Sequence, residues 1–329
     1  MSAVDAALLT RTLVVSDLRG IHSHGVLRVP EYVAKLTTGG VDPRGRPRIV
    51  RERGATMSID GGNSMGQIAG TFAMERVIER ARTTGVAAAA LRGSNHCGAM
   101  DHYARMALAS DMIGIATTNA LPTMAPWGGA DKIVGINPIG VAIPAGSEDP
   151  IVLDIAFGAT AHGKMRIYHQ KGLSIPERWA FDENGLPTTD TAAALGGLIR
   201  PIGDYKGIGL AMVTGILSSL LSGAGYGLET GNMVDGALPG ADGQFFLALD
   251  VEAFEDVRKF KSRVDGIIRQ MRSGRRAPGV DRLYVPGELE AEFEAHRMRD
   301  GIPLNDATLA DLAGVARRFG VDIPNEWTR

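Results

Sequence analysis

The chain has 329 residues, a formal net charge of −2, 44% hydrophobic residues and a single cysteine, Cys97. This length can bury a full core in one large domain or two interlocked domains, and the near-neutral charge excludes a general attraction to nucleic acid or to an anionic membrane. A single cysteine excludes an intrachain disulfide and a cysteine-based zinc cluster, and it favours a reducing, cytoplasmic setting.

Capping residues and apolar spacing predict an alternation of helices and strands. In chain order we predict helices at 4–19 and 29–36, strands at 48–51 and 56–59, a helix at 66–82, a strand at 86–91, a helix at 100–109, a strand at 113–118, a long loop at 119–144, strands at 151–157 and 245–250, and helices at 252–271, 287–298 and 306–319. This order predicts an α/β fold. Residues 1–50 and 252–329 should form a helical lobe around a central sandwich, residues 51–251.

No membrane segment is predicted. The N-terminus lacks the basic-then-apolar order of a signal peptide, because Asp5 interrupts it and Arg11 follows soon after. The stretch 208–228 carries no charge and is long enough to cross a bilayer. Its glycines and serines lower its hydrophobicity, so we predict a helix buried in the core that ends near Ser222.

Two polar segments bounded by glycine carry the chemistry. Residues 21–25 read Ile-His-Ser-His-Gly, with Arg28 just beyond them, and residues 93–98 read Gly-Ser-Asn-His-Cys-Gly. Imidazole exchanges a proton near neutral pH, and the planar guanidinium group suits a carboxylate. The two segments therefore predict a site that binds a small organic acid and moves a proton.

Three other patterns suggest different chemistry. Ser64, in Gly-Asn-Ser-Met-Gly, matches the nucleophile elbow of a serine hydrolase, although a hairpin turn explains the same residues. Residues 158–165 come within one residue of a phosphate-binding loop, but Met165 replaces the hydroxyl residue that would hold magnesium. His22 and His24 have the spacing of paired metal ligands, yet no third ligand is evident, and we predict no metal.

The glycine fingerprint of an ordinary dinucleotide fold is absent from the sequence. Gly207-Ile208-Gly209 is followed by Leu210 rather than by the spaced third glycine. The residue chemistry alone therefore does not suggest a nicotinamide cofactor first. It leaves open an enzyme that moves a proton and a non-catalytic protein that only binds organic acids.

Several separated motifs in one order resemble the malate/L-lactate dehydrogenase family, which lacks a Rossmann fold. They are residues 17–25, 94–96, 125–129, 137–138, 154–156, 206–207 and 285–288. The resemblance covers nearly the whole chain. Relatives in this family include sulfolactate and ureidoglycolate dehydrogenases and reductases of cyclic imino acids.

The resemblance implies a non-Rossmann oxidoreductase that transfers a hydride between NAD or NADP and a small 2-hydroxy or 2-oxo acid, such as malate or lactate, or a cyclic imine. It implies a homodimer with its sites near the subunit boundary. His96 matches the acid/base histidine, and Ser23, His24 and Arg28 match the substrate-lining segment. The positions that match cofactor-lining stretches are Asn119, Ala120, Asp154, Ile155, Ala156, Lys206, Gly207, Pro286, Gly287 and Glu288.

Rival roles remain for two of these residues. Arg28 could pair with Glu31 or Asp17, and Asp154 could cap the next helix. The chain also departs from the family pattern. It begins some way into the first helical region, Cys97 stands where an aromatic residue is frequent, Ala120 stands where serine is frequent, and residues 158–159 (Gly-Ala) replace a more polar pair.

Overall fold

The structure, a computed structural model, describes residues 1–233 and 235–328. The helices in this part of the chain are α1 (Ala3–Leu18), α2 (Val29–Thr38), α3 (Gly66–Thr84), α4 (Met100–Met106), α5 (His162–Gln170), α6 (Thr191–Gly196), α7 (Tyr205–Ser218), α8 (Val257–Arg272), α9 (Glu288–Asp300) and α10 (Asp306–Phe319). The strands are β1 (Arg48–Arg53), β2 (Thr56–Asp60), β3 (Val86–Ser94), β4 (Met112–Thr118), β5 (Pro122–Met124), β6 (Val134–Gly135), β7 (Ile139–Ile143), β8 (Ile151–Ile155), β9 (Ala180–Phe181), β10 (Leu198–Ile199) and β11 (Asp242–Asp250).

Seven strands form one mixed sheet in the order β1-β2-β3-β11-β4-β7-β8. Strands β2 and β3 run parallel, with Thr56 opposite Ala88, and the other neighbours in this sheet are antiparallel. A mostly antiparallel sheet differs from the parallel, doubly wound sheet that carries the glycine fingerprint. The predicted non-Rossmann α/β fold is confirmed.

Helices cover both faces of this sheet. Helices α3 and α4 pack on one face, where Met74, Val77 and Tyr103 meet Leu91 and Phe246, all fully buried. Helix α7 packs on the opposite face against β3, β4 and β11. The polar segment around His96 follows β3 directly and leads into α4, so the sheet fixes where it lies.

The two ends of the chain pack together. Helix α1 contacts α9 and α3, and helix α2 contacts α10. Leu9, Leu13 and Tyr32 form a small core with Met65 and Ile68, at the start of α3. The helical lobe built from both termini is therefore present. Its proposed limits at residues 50 and 251 stay a prediction, and β1 crosses the first of these positions.

The predicted loop at 119–144 contains structure that the sequence did not reveal. Strand β7 lies within it and pairs with both β4 and β8. Gly140 lies in the middle of β7, and a Cβ atom there would lie 2.6 Å from the carbonyl carbon of Met100. This glycine reflects close packing against α4 rather than a turn.

The prediction that the helix after residue 208 is buried was wrong for one of its faces. Ile208, Ala211 and Thr214 are buried against the sheet, whereas Leu210 and Val213 are 52% and 58% exposed. A sequence that is apolar all round can have one face on the core and the other on a partner. Within the described residues, no helix has both the length and the apolar character needed to span a membrane.

Candidate active site

The end of α1 fixes the first polar segment. Asp17 is 1% exposed, and both of its carboxylate oxygens are used. Oδ1 lies 2.8 Å from Nδ1 of His22, and Oδ2 accepts a hydrogen bond of 2.7 Å from the backbone N–H of Val26. The carboxylate therefore holds the 3-10 turn His22–His24 against the helix that precedes it.

We expect Gly25→Ala to displace this turn. A Cβ atom at Gly25 would lie 2.2 Å from Oδ1 of Asp17, far inside any real contact. We predict a loss of unfolding free energy of about 1–3 kcal/mol, typical of overpacking, together with reduced activity. Urea unfolding measures the change in unfolding free energy. Gly314→Ala in α10 is the control, because a Cβ atom there meets nothing within 4 Å. An unchanged unfolding midpoint in Gly25→Ala would contradict the prediction.

Asn95 holds the second polar segment. Its Nδ2 donates 2.9 Å hydrogen bonds to Oδ1 of Asn63 and to the carbonyl of Ser64, and its Oδ1 accepts one of 2.8 Å from the N–H of Gly240. Asn95 is buried, so these bonds replace those it would make with water. They fix the backbone on which His96 is carried.

The structure brings the predicted residues Ser23, His24 and His96 together. Oγ of Ser23 lies 2.8 Å from Nδ1 of His24. The rings of His24 and His96 are stacked, with centroids 5.4 Å apart and planes 15° apart. Nδ1 of His96 lies 2.6 Å from Oη of Tyr32.

Arg28 borders this group of residues. Its Nε donates to the carbonyl of Ser23 at 2.7 Å, and its Nη1 pairs with Oε2 of Glu31 at 2.7 Å. The rival pairing with Glu31 is thus present, whereas the oxygens of Asp17 are held by His22 and Val26. Neither contact of Arg28 uses Nη2. The side chain is 25% exposed, so a ligand carboxylate can reach it.

Both imidazoles are neutral at neutral pH. Burial, and then the charge of Arg28, lowers the pKa of His24 to about 4. Burial, His24 and Arg28, in that order, lower the pKa of His96 well below its ordinary value. A ligand carboxylate that neutralises Arg28 would raise both pKa values. The site therefore holds a base whose strength responds to an acid bound beside it.

Asn137 links the predicted cofactor stretch at residues 119–120 to helix α7, whose first turn carries Lys206 and Gly207. Its Oδ1 accepts a 2.9 Å hydrogen bond from the N–H of Ala120, and its Nδ2 donates one of 2.8 Å to the carbonyl of Ala211 in α7. Both side-chain groups of Asn119 bond to backbone, the N–H of Gly243 and the carbonyl of Gly225. At residues 119–120 both backbone N–H groups and the Asn119 amide are hydrogen-bonded within the protein, so these residues would line a ligand by contact.

Asp154 and residues 286–288 meet at β8. The N–H of Val152 donates to the carbonyl of Pro286 at 2.9 Å, and Gly287 packs directly on Val152 with φ +90°. Oδ2 of Asp154 accepts a 2.9 Å hydrogen bond from the N–H of Asp101, at the start of α4. Asp154 therefore does not cap the next helix, α5, as considered from the sequence; it bonds to the first turn of the earlier helix α4 and links β8 to the helix that follows His96.

Glu288 is held by protein groups. Its carboxylate accepts a 2.9 Å hydrogen bond from the N–H of Val285 and forms ion pairs with Arg272, at 3.2 Å, and with Arg282. The side chain is 6% exposed. Glu288 thus anchors the turn at 285–288, and Pro286 and Gly287 are the residues of this turn that face β8.

Lys206 differs from Glu288. It is exposed in the first turn of α7, and none of the described residues forms an ion pair with its ammonium group. Beside it, a Cβ atom on Gly207 would lie 2.0 Å from the carbonyl oxygen of Ile202, so only glycine fits. An unpaired cation at a helix N-terminus suits an anionic group such as a phosphate. The exposed ammonium group of Lys206 at the start of α7 therefore fits the phosphate groups of a dinucleotide cofactor.

Asp154→Asn is expected to change how stability depends on pH. Burial, and then the charge of Asp101, raises the pKa of Asp154 from 3.8 to about 7. The folded state therefore binds this proton more tightly than the unfolded state, so stability falls as pH rises from about 4 to about 7. Asparagine keeps the acceptor oxygen without the charge. Urea unfolding gives the free energy of unfolding at pH 5 and at pH 8. Between these pH values Asp154→Asn should lose less of this free energy than wild type, and an equal loss in the two proteins would contradict the prediction.

The alternative chemistries find no support in the geometry. Ser64 is 1% exposed and donates a long, 3.4 Å hydrogen bond to the carbonyl of Met65. In the loop that resembles a phosphate-binding loop, the N–H of Ala159 is already bonded to the carbonyl of Arg200. Among the described residues, no group of three or more His, Cys, Asp or Glu side chains is arranged to hold a metal ion.

Two residues of the site were missed from the sequence. Tyr32 contacts His96, and Gln67 of α3 donates to Oη of Tyr32 at 2.9 Å. Tyr32 follows Arg28 by four residues, a spacing that places both on one helix face. Gln67 is a 1% exposed amide in a helix start that is otherwise apolar or small. The spacing of Tyr32 and the unusual amide at position 67 are visible in the sequence, but neither feature shows that Tyr32 contacts His96.

Comparisons with known proteins agree with this arrangement. Residues 1–313 match the family model described as malate/L-lactate dehydrogenase. A malate dehydrogenase of Pyrococcus abyssi is 36% identical over 325 residues, covering 96% of this chain and 89% of that protein. Sulfolactate dehydrogenase from Methanocaldococcus jannaschii superposes with a TM-score of 0.92 at 36% identity, covering 97% of this chain and 92% of that one.

A further solved structure is also similar. The delta1-piperideine-2-carboxylate reductase of Pseudomonas syringae superposes with a TM-score of 0.81 at 29% identity, covering 93% of this chain and 96% of that chain. The sequence identity to the malate dehydrogenase covers nearly the full length of the chain, and the family model matches residues 1–313. The chain belongs to the malate/L-lactate dehydrogenase family and is an oxidoreductase that acts on a CH–OH group.

Proposed function

We propose that the protein transfers a hydride reversibly between NAD or NADP and a small 2-hydroxy/2-oxo carboxylate, such as malate, lactate or sulfolactate. The observation that carries this proposal is the neutral, stacked pair of His24 and His96 beside the guanidinium of Arg28. The imidazole of His96 can accept the proton of the substrate hydroxyl. The guanidinium of Arg28 can bind the carboxylate on the carbon next to the one that carries this hydroxyl.

In this mechanism Arg28 binds the substrate carboxylate through Nη2, which neither of its two protein contacts uses, and this orients the reacting carbon. His96 takes the hydroxyl proton during oxidation and returns it during reduction. Ser23 orients His24 through Nδ1, and the His24 ring forms one wall beside His96. When bound, the nicotinamide supplies the hydride acceptor or donor.

We propose that the cofactor is held by three parts of the chain. Lys206, at the start of α7, would pair with its phosphate or ribose groups, and Gly207 lets the helix begin close to Ile202. The backbone of Asn119 and Ala120 and of residues 154–156 would line its length. Pro286 and Gly287, packed on β8 and anchored by Glu288, would close the far end.

A reductase of cyclic imino acids is the second candidate, and the likeness to delta1-piperideine-2-carboxylate reductase favours it. A cyclic imino acid also carries a carboxylate next to the reacting carbon, so Arg28 would bind it in the same way. His96 would then deliver a proton to the ring nitrogen instead of an oxygen.

A substrate screen tests both candidates. The purified protein is mixed with NADH or NADPH and with each of malate-, lactate- and sulfolactate-related 2-oxo acids and cyclic imino acids, and loss of nicotinamide absorbance is followed. We expect oxidation of one reduced cofactor with at least one acid. Folded protein that oxidises neither cofactor with any substrate would contradict the proposed function.

We also propose a homodimer formed through α7. Its outer face and the turn beyond it expose an apolar stripe, which consists of Leu210, Val213, Leu217, Leu220 and Leu221. A groove beside this stripe is lined by Ala88, Leu221 and Phe245 and also, among others, by Arg51 and Arg53. Because no charged residue lies between 208 and 228, a second copy of the same surface suits it better than water does.

Val213→Asp is expected to convert the dimer into monomers. Two buried carboxylates would face each other across a two-fold interface, a costly arrangement. Light scattering after size exclusion measures the mass. Val4→Asp makes the same change at a 78% exposed position on α1 and should leave the mass unchanged. If Val213→Asp keeps the wild-type mass, the α7 face is not the interface.

Cys97 supports a reducing, cytoplasmic setting, which we propose as the working environment. Its thiol is buried, and burial raises its pKa to about 12. A thiol that stays protonated and enclosed is a packing residue rather than a redox group.

A further inference from the structure

Tyr32 and Gln67 form a hydrogen-bonded pair next to His96. Oη of Tyr32 lies 2.6 Å from Nδ1 of His96 and accepts a 2.9 Å hydrogen bond from Nε2 of Gln67. Tyr32 is 3% exposed and Gln67 is 1% exposed. The two residues come from different helices, α2 and α3, and both are enclosed, so their geometry is fixed by packing.

This contact determines which ring nitrogen of His96 can react. Tyr32 occupies Nδ1, so Nε2 is the nitrogen left for a substrate. A neutral imidazole carries one proton, and Nε2 can accept another only when that proton is on Nδ1. The activity of His96 as a base therefore depends on its tautomer.

The pair can support either tautomer. Burial raises the pKa of Tyr32 far above its ordinary value, so the hydroxyl always has one hydrogen to donate and lone pairs to accept. With Nε2 of Gln67 donating to Oη, the Tyr32 hydrogen points to Nδ1 and the proton of His96 lies on Nε2. With the amide turned by half a turn, Oε1 accepts from Tyr32 and Oη accepts from Nδ1–H. Among the described residues, Oε1 of Gln67 is buried with no hydrogen-bond partner.

We propose that Tyr32 and Gln67 are positioning residues that select the tautomer of His96, with the amide of Gln67 turned to accept from Tyr32 in the state that takes the substrate proton. In that state the hydroxyl proton moves to Nε2, and the resulting imidazolium keeps its Nδ1–H on Oη of Tyr32. The reverse reaction returns the Nε2 proton. This inference rests on the proposed function, because it assigns His96 the role of the base.

The test reads the tautomer directly. Protein labelled with ¹⁵N-histidine is measured by NMR at pH 9, and His96→Gln identifies the His96 signals. We expect Nε2–H in the wild-type protein. In Gln67→Glu the ionised carboxylate can only accept from Tyr32, so we expect a change to Nδ1–H. The same tautomer in both proteins would overturn the proposal.

Kinetics give a second readout. Tyr32→Phe and Gln67→Met are expected to lower kcat roughly 10–100-fold, the usual range for residues that orient a reacting group, with KM within about twofold. Tyr103→Phe is the matched control: its hydroxyl is equally buried and bonds to the carbonyl of Cys97, and it should leave kcat unchanged. If Tyr32→Phe does not fold, Gln67→Met still decides. A kcat within twofold of wild type in either variant would overturn the proposal.

The two levels of inference can be told apart. If the wild-type protein oxidises or reduces no substrate, the proposed function fails, while the NMR comparison of wild type and Gln67→Glu still tests tautomer selection. If the wild-type protein is active and the tautomer does not respond to Gln67→Glu, only the further inference fails.

Discussion

His96→Ala should lower kcat roughly 10²–10⁴-fold, the range of general acid–base catalysis, while the protein still binds its acid. The reason is that Arg28 holds the carboxylate and His96 handles only the proton. Steady-state rates give kcat, and isothermal calorimetry with a 2-oxo acid and the cofactor gives affinity. His296→Ala is the control, because the His296 side chain is 65% exposed and pairs with Asp300, far from this site in sequence.

The same experiment separates an enzyme from a binding protein. If the wild-type protein and His96→Ala bind the acid equally and neither changes nicotinamide absorbance, the chain is a binder of organic acids. If His96→Ala keeps wild-type kcat, another group supplies the proton. His24 would then be the first candidate, because its ring is stacked on His96 and its pKa is also lowered.

The site was predictable where its chemistry is contiguous in sequence. Ser23, His24 and Arg28 fall within six residues, and Asn95 precedes His96 directly, so the residue types alone indicated a proton and a carboxylate. Contacts between distant segments were not predictable in this way. Tyr32 reaches His96, and Gln67 reaches Tyr32, only because Tyr32 of α2 and the start of α3 share one small core, and no local pattern encodes that approach.

In the fold, too, locally encoded elements were predicted and features that depend on distant contacts were not. Strands with several β-branched or apolar residues and helices with clear caps were predicted within a few residues of their observed limits. Strand β7 was missed because Pro138 and Gly140 resemble loop residues, although Gly140 is required by the backbone of Met100. The outer face of α7 was misjudged because an apolar helix surface looks alike in sequence whether it meets the core or a second subunit.

Replacing Arg28 with glutamine should raise KM for the 2-oxo acid roughly 30-fold or more, since losing one partner of a desolvated charge pair costs about 2–5 kcal/mol. The pH dependence of the oxidation rate provides a second, independent test of the role of Arg28. Arg28 lowers the pKa of His96, so its removal raises that pKa. Oxidation needs neutral His96, so the oxidation rate falls when the pH drops below the pKa of His96. We therefore expect this fall to begin at a higher pH in Arg28→Gln than in wild type.

Glu31→Gln is the matched variant for this prediction, because Glu31 pairs with Nη1 of Arg28 and would otherwise compete with the substrate. Freeing the guanidinium should leave KM equal to or below the wild-type value. If Arg28→Gln leaves both KM and the pH profile unchanged, Arg28 serves only its pair with Glu31. The carboxylate must then be bound elsewhere, and the charge that lowers the pKa of His96 would have no part in sensing the substrate.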